Sequence, residues 1–239
     1  MKVSLQLLVI VFSLSLLTGC LYPKEKLAQN QIPYEDQIAA VQRAVDQFKE
    51  DSGGLLPIKN RDMETPIYQK YPIDFTRISP KYIAEPPGNA YETGGVYLYV
   101  LVNVETNPTV KLLDVRISEE ISELNLRVQM YRSSNGYAPF KEQLQTNVFT
   151  LDYSKLGLKE EPYVVSPFTG KNLPLLITST NEIVVDYRMD LFEYLTKYEH
   201  TYQTGDDIRD LLVDNSMFVP TNSLSYTIND ENEPIFLDN

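Results

Sequence analysis

The chain has 239 residues, a formal net charge of −12, one cysteine, one histidine and no tryptophan. One cysteine cannot form an internal disulfide or a thiolate zinc site, and one histidine cannot supply the imidazoles of most catalytic metal sites. The acidic balance argues against binding to a nucleic-acid backbone, which needs clustered Lys and Arg. These counts predict no metal site, no cofactor and no nucleic-acid partner.

The N-terminal segment has the features of a lipoprotein signal peptide, which we assign to residues 1–19. Lys2 precedes a mostly apolar run over residues 3–17, which is shorter than the roughly 20 residues of a membrane-spanning helix. Leu17-Thr18-Gly19-Cys20 then resembles the bacterial lipobox. In that family the cysteine takes a diacylglyceryl group and a dedicated peptidase cuts before it, which implies lipidation of Cys20. The alternative is an ordinary signal peptide with a chance cysteine.

Residues 20–33 are predicted to form a polar, lipidated tether between the membrane and the body of the protein. Because Lys2 is lost on cleavage, the mature chain has a net charge of −13. An acidic body is repelled by an anionic lipid surface. We therefore expect a protein that is anchored to the extracytoplasmic face of the cell membrane by its lipid, palmitate being one acyl chain, and that stands off that membrane.

Three segments have the periodicity of amphipathic helices with one apolar stripe each. These predicted helices are residues 35–50, residues 119–132 and residues 190–202. Ser118, which precedes the acidic pair Glu119-Glu120, is the predicted N-cap of the second helix. A short extra helix is expected over residues 206–214.

Downstream of each helix, an aromatic residue, an aliphatic residue and a proline form a turn that precedes a strand. The turns lie at residues 81–89, 162–170 and 217–222, and the strands that follow lie at residues 96–104, 173–178 and 224–228. Two further strands, residues 110–117 and 183–189, share the pattern Asp-x-Arg at Asp114-Val115-Arg116 and Asp186-Tyr187-Arg188.

This recurring order predicts an α+β fold with two to three degenerate repeats, each a helix packed on a small antiparallel sheet. The predicted repeat units are residues 34–107, residues 108–181 and a shorter third unit, residues 182–239. The alternative is chance similarity within a chain that is rich in Tyr and Pro.

The same order also resembles the globular heads of type IV pilins and pseudopilins. The similar segments are residues 44–57 and 126–139, with residues 82–89 and 163–170 downstream. A lipobox stands where those proteins have a prepilin cleavage motif and a long membrane helix, so this resemblance implies a local fold and not filament assembly.

At the level of the whole chain, the lipobox, Tyr22-Pro23 and the stretch Pro33-Tyr34-Glu35-Asp36-Gln37 are similar to uncharacterised lipoproteins of Bacillus and relatives of the YphF-like type. That type is labelled as a transporter binding protein. The resemblance implies extracytoplasmic membrane anchorage without an established activity.

No catalytic residue is predicted. His200, the only histidine, has no GxSxG nucleophile elbow to serve and is interpreted as a structural residue near a helix C-terminus. The acid pairs Glu119-Glu120 and Asp206-Asp207 offset helix dipoles, and Glu160-Glu161 lies in a loop. Hydrolysis of a glycoside needs two carboxylates about 5–10 Å apart across a cleft, and residues that are adjacent in sequence do not indicate such an arrangement.

Other candidate sites have simpler structural explanations. The oxygen-rich stretch Asn229-Asp230-Glu231-Asn232-Glu233 lacks EF-hand spacing and is predicted to be a polar turn, with calcium binding as the alternative. Gly53-Gly54 and Gly94-Gly95 lack the context of a phosphate-binding loop. Tyrosine is abundant, with 17 residues, and such side chains suit either a core or a wet binding groove. The tyrosines in or near the predicted strands are Tyr82, Tyr91, Tyr97, Tyr99 and Tyr163.

These observations favour a non-enzymatic lipoprotein that binds a protein or another component of the envelope or membrane. The alternative is the substrate-binding component of a transporter, although the alternating βα units of such proteins are not evident. A carboxylate-based hydrolase of the envelope is a further alternative.

Overall fold

The computed structural model describes residues 34–237. The predicted signal peptide, the lipidation site Cys20 and the tether lie outside these residues. Within the described part of the chain, no helix has the length and apolar character needed to cross a bilayer.

Helices and antiparallel strands alternate along residues 34–237. The helices are α1 (Tyr34–Asp51), α2 (Phe75–Ile78), α3 (Val115–Asn135), α4 (Arg188–Lys197) and α5 (Asp210–Asp214). The strands are β1 (Tyr97–Val102), β2 (Thr109–Asp114), β3 (Phe140–Gln145), β4 (Val148–Leu151), β5 (Tyr163–Val165), β6 (Asn172–Thr178), β7 (Ile183–Val185), β8 (Tyr226–Ile228) and β9 (Pro234–Phe236).

The strands form three small antiparallel sheets. β1 and β2 form one hairpin, β8 and β9 form another, and the strands between them form a five-stranded sheet. The order in that sheet is β3-β4-β6-β5, and β7 also pairs with β6. Separate helices and small antiparallel sheets confirm the predicted α+β class.

Helix α1 covers one face of the hairpin β1–β2. Its buried residues Val41 and Val45 belong to a hydrophobic cluster that includes both strands of the hairpin. The side chain of Gln42 fixes the helix against the hairpin loop, because it donates to the carbonyl of Pro108 at 3.0 Å and accepts from the amide of Val110 at 2.8 Å. The apolar stripe predicted for this helix therefore packs on a sheet, as expected.

The opposite face of the hairpin is also buried. Val100, Val102 and Leu113 point away from α1 and form a cluster with Val213 and Val219 from the C-terminal part of the chain. This double burial explains why β1 reads as an almost continuous apolar run rather than an alternating one.

Residues 217–223, which we call the connecting segment, return to the hairpin and extend its sheet. The amide of Leu112 in β2 donates to the carbonyl of Met217 at 2.8 Å, and the amide of Val219 donates to the carbonyl of Leu112 at 3.0 Å. The pairing between Leu112 and Phe218 is parallel. An aromatic-proline turn of the sequence thus acts here as an added strand.

The same segment then reaches the five-stranded sheet. The amide of Val185 in β7 donates to the carbonyl of Asn222 at 2.9 Å. The buried hydroxyl of Tyr187 donates to the carbonyl of Thr221, also at 2.9 Å. The connecting segment therefore joins the two sheets through backbone hydrogen bonds.

The N-cap of α3 differs from the prediction. The carboxylate of Asp114, the last residue of β2, accepts a hydrogen bond from the amide of Arg116, and the helix begins at Val115. Ser118 lies inside the first turn, so its prediction as N-cap is wrong. The helix ends at Asn135, three residues later than predicted, where Gly136 adopts the left-handed conformation at φ 80°.

The Asp-x-Arg patterns also end their strands earlier than predicted. The strand predicted over residues 110–117 stops at Asp114, and the one predicted over residues 183–189 stops at Val185. In both places the aspartate side chain binds the amide two residues ahead, and this contact favours the start of a helix over another strand residue.

The third predicted helix is shorter than expected, because α4 ends at Lys197 and Tyr198 is extended. Aromatic and β-branched residues with low helix propensity dominate residues 198–202. Tyr198 and Tyr202 still pack on the main hydrophobic cluster, so their predicted apolar role does not require a helix. The short helix α5 begins at Asp210 rather than at residue 206.

The structure does not confirm the predicted repeat. The strands are unevenly distributed among the predicted units, with β1 in residues 34–107, β2 to β6 in residues 108–181 and β7 to β9 in the third unit. The predicted unit boundaries at 107/108 and 181/182 fall in the turns of the hairpins β1–β2 and β6–β7.

The hydroxyl of Tyr226 connects the C-terminal hairpin β8–β9 to the backbone of residues 185–187. Its fully buried hydroxyl accepts from the amide of Tyr187 at 3.0 Å and donates to the carbonyl of Val185 at 3.0 Å. We expect Tyr226→Phe to lower the free energy of unfolding by about 1–3 kcal/mol, because both backbone groups lose their buried partner. Urea denaturation measures this value.

The matched control is Tyr91→Phe, since the Tyr91 ring is exposed and its hydroxyl makes no hydrogen bond within residues 34–237. This variant should change the free energy of unfolding by less than about 0.5 kcal/mol. Equal losses in the two variants would show that the buried hydroxyl of Tyr226 is not what holds the hairpin.

Candidate functional site

A groove of about 670 Å³ lies where α3, β5 and the end of the hairpin β1–β2 meet. Its walls come from distant parts of the sequence, and the connecting segment contributes Phe218. The side chains that define the groove are Tyr97, Asp114, Arg116, Ile117, Glu120, Leu158, Glu160, Glu161, Tyr163, Val165, Ser166 and Phe218. The volume is within the range of about 300–1,000 Å³ that is typical of ligand sites.

Strand β5 forms one wall. It pairs with β6 on one side only, in the register Tyr163 with Pro174 and Val165 with Asn172. Tyr163 and Val165 are 49% and 56% exposed, although both carry large apolar surfaces. An exposed apolar edge strand of this kind is unusual in a stable fold and marks a place where a further chain can pair.

Aromatic side chains form the opposite wall. The rings of Tyr97 and Phe218 lie 5.6 Å apart between centroids, which joins β1 to the connecting segment. Tyr97 is almost fully buried, and this desolvation raises its pKa to about 12. The ring is therefore neutral at physiological pH and presents an apolar wall with one hydroxyl.

Arg116 and Asp114, which both line the groove, form an ion pair. The guanidinium donates through Nε to Oδ1 at 2.8 Å and through a second nitrogen to Oδ2, and the carboxylate is 3% exposed. Hydrogen bonding to Asp114 raises the pKa of Arg116. Because the two charges compensate each other in bidentate geometry, the pair contributes little net charge to the groove.

The same local arrangement occurs at three helix starts. Asp186 binds the amide and the guanidinium of Arg188, and Asp207 does the same with Arg209. The motifs at Asp114 and Asp186 were recognised in the sequence, whereas Asp207-Ile208-Arg209 was not. Its recurrence away from the groove indicates that the Asp-x-Arg motif shapes the fold and is not by itself a site.

Three carboxylates remain at the rim of the groove. Glu120 lies on α3, and Glu160 and Glu161 lie in the loop that precedes β5. All three are exposed, and none of them takes part in an ion pair within residues 34–237. The acid pair predicted to lie in a loop therefore does so, and it faces the groove.

The turn that closes one end of the groove is held by a buried acid. Ser166 donates to Asp190 Oδ2 at 2.7 Å, and Thr169 donates to Asp190 Oδ1 at 2.6 Å. The Ser166 oxygen also accepts from the amides of Phe168 and Thr169. Burial raises the pKa of Asp190, while these two hydroxyls lower it. Sequence patterns did not indicate this role of Asp190.

His200 lies apart from the groove, in the loop after α4. Its Nε2 is 3.4 Å from the side-chain nitrogen of Asn232, and its ring packs near Tyr202 at 5.7 Å. Within residues 34–237, the contacts of His200 include no Ser nucleophile. The geometry thus gives it packing and a weak polar contact, while the absence of a catalytic role stays a prediction.

The remaining candidates are dispersed. Asn229 accepts from the amides of Glu231 and Glu233, which makes residues 229–233 the turn between β8 and β9. Asp206 accepts from the amide of Gln203. Within residues 34–237, no group of three or more His, Cys, Asp or Glu side chains is arranged to hold a metal ion.

The five singled-out tyrosines divide between core and surface. Tyr99 is fully buried and donates to the side chain of Asn89 at 2.7 Å. Tyr82 is half-buried and packs on Phe48, and Tyr91 is exposed. Only Tyr97 and Tyr163 of this set line the groove.

Comparison with known proteins identifies one relationship. Residues 34–114 match the profile of the YphF family N-terminal domain. The matched range begins with α1 and ends with the last residue of β2, so it covers the helix and the hairpin that share one hydrophobic cluster. The N-terminal part of the described chain is therefore similar to this family domain.

Searches of curated proteins and of solved structures each returned no match.

Ser166 allows a test of the turn at the end of the groove. We expect Ser166→Ala to lower the free energy of unfolding by about 1–3 kcal/mol, because Asp190 and two amides lose a buried partner. Ser154→Ala is the control, since Ser154 donates to Asp152 at the same 2.7 Å on the surface. Thermal and urea unfolding measure the stability of both variants. If both were as stable as the parent, this role of Ser166 would be contradicted.

Proposed function

We propose that the protein is a membrane-anchored extracytoplasmic lipoprotein, attached through Cys20, whose body is a non-enzymatic binding or interaction module. The groove beside β5 is its binding surface. The observation that carries this proposal is an exposed, apolar strand edge that forms the wall of a groove of about 670 Å³.

The chemistry of the groove favours binding over catalysis. Its arginine is neutralised by Asp114, and its serine is engaged with Asp190. What it offers is aromatic surface, one strand edge and three unpaired carboxylates. Such a surface recognises a partner by shape, backbone pairing and charge.

The substrate-binding component of a transporter is the second candidate. Both large hydrophobic clusters contribute residues to the groove. Tyr97 belongs to the cluster shared by α1 and the hairpin β1–β2, whereas Ile117 and Val164 belong to the main hydrophobic cluster. Ligand sites often lie between two packed units of this kind. This arrangement favours a small solute as the alternative ligand.

Membrane anchorage is tested by Cys20→Ala. We expect the variant to lose incorporation of radiolabelled palmitate and to leave the detergent phase on phase partitioning, because no acyl chain can be attached. The control combines Cys20→Ala with Leu21→Cys, which retains a thiol one position later and should not restore anchorage. A Cys20→Ala protein that is processed and membrane-bound like the parent would refute the anchor.

The binding surface is tested by a photo-crosslinking amino acid placed at Tyr163 in the full chain. We expect light-dependent crosslinks to an envelope or membrane protein from this position and none from Phe192, which is 53% exposed but lies outside the groove. Thermal-shift assays against small solutes separate the two candidates. A saturable shift without any crosslink at Tyr163 would favour the transporter component.

A further inference from the structure

We propose that the groove binds an extended protein segment with alternating basic and apolar residues, which adds a strand to the free edge of β5. This inference rests on the proposed function, because it names the class of partner that the binding module takes. It follows from the backbone of β5, from the shape of the groove and from its charge.

The backbone of β5 has one used and one unused edge. The carbonyl of Pro162 accepts from Leu175, and the amide of Ser166 donates to Lys171 at 2.8 Å. Because backbone groups alternate between the two edges of a strand, those of Tyr163 and Val165 point away from β6. Within residues 34–237 these outward amides have no hydrogen-bond partner.

The groove lies along that unused edge. Side chains of a strand alternate between its two faces, yet Tyr163, Val164 and Val165 all line the groove. A cavity that contacts three successive residues of a strand faces its edge and not one of its faces. An added strand lies about 4.8 Å from its neighbour, so it would occupy the groove directly beside β5.

The charge of the groove selects the partner. Glu120, Glu160 and Glu161 have no compensating cation within the described residues, whereas Arg116 is compensated by Asp114. Lysine or arginine side chains on one face of the added strand would meet these carboxylates. The alternate residues would face the apolar wall around Phe218, which favours an alternating pattern over a uniformly basic one.

The first test measures binding of a fluorescein-labelled peptide, (Lys-Val)₄, to the full-length protein in detergent by fluorescence anisotropy. We expect saturable binding that weakens with added salt. The variant E120Q/E160Q/E161Q should bind about tenfold more weakly, since three favourable charge contacts are lost. The control E64Q/E119Q/E182Q changes the net charge equally at exposed positions outside the groove and should keep the parent affinity.

The second test separates strand pairing from simple charge attraction. N-methylation of alternate residues in the peptide removes the backbone donors from one edge of the bound strand. When the methylated edge is the one that pairs with β5, the affinity should fall about tenfold. Val165→Pro removes one outward amide of β5 and should weaken binding of the unmodified peptide as well. Proline is tolerated at edge strands, and this amide is not used by β6.

Three results would overturn the inference. The first is that the protein binds the methylated and unmodified peptides with equal affinity. The second is that E120Q/E160Q/E161Q binds the peptide as tightly as the parent does. The third is that spermine alone, at equal charge concentration, displaces the peptide. A partner that crosslinks at Tyr163 and is not displaced by the basic peptide would refute this inference and leave the proposed binding module intact. Failure of anchorage at Cys20 leaves the peptide isotherm unaffected.

Discussion

The backbone pairing of residues 217–223 with two separate sheets is the interaction on which the rest of this structure depends. Leu112 binds both Met217 and Val219, and Val185 binds Asn222. Without these bonds the face of the hairpin β1–β2 that points away from α1 would be partly open to water, because Val213 and Val219 cover it together with Tyr68. A buried backbone segment must satisfy its polar groups, and here it does so by serving as a strand for both neighbours.

The groove is a product of the same arrangement. Phe218 lies between Leu112 and the Tyr97 ring, so the connecting segment places one wall of the groove while α3 and β5 supply the others. The Asp114–Arg116 pair lines the groove at the point where β2 changes into α3. A ligand in the groove would therefore contact the hairpin β1–β2, α3, β5 and the connecting segment, and its affinity would depend on how firmly these four parts are joined.

The sequence was sufficient for some of these features and not for others. Periodicity located α1 and α3, because the spacing of apolar residues along a helix is a local signal. The strand that contains Asp114 was predicted to continue to residue 117, because the capping role of Asp114 depends on the chain turning there. The groove could not be predicted, since residues 97, 116, 163 and 218 come together only through long-range packing. The abundance of tyrosine was compatible with a core or with a binding groove, and both occur, since Tyr99 is buried and Tyr163 is exposed in the groove.

The position of the connecting segment also bears on how the chain reaches its native state. Leu112 and Phe218 are about a hundred residues apart in sequence, and contacts of such separation close late because loop closure is entropically costly. During synthesis α1, Tyr68 and the hairpin emerge before Val213 and Val219, so Val100, Val102 and Leu113 are at first only partly covered. Burial of this apolar face is therefore completed only when the C-terminal residues arrive.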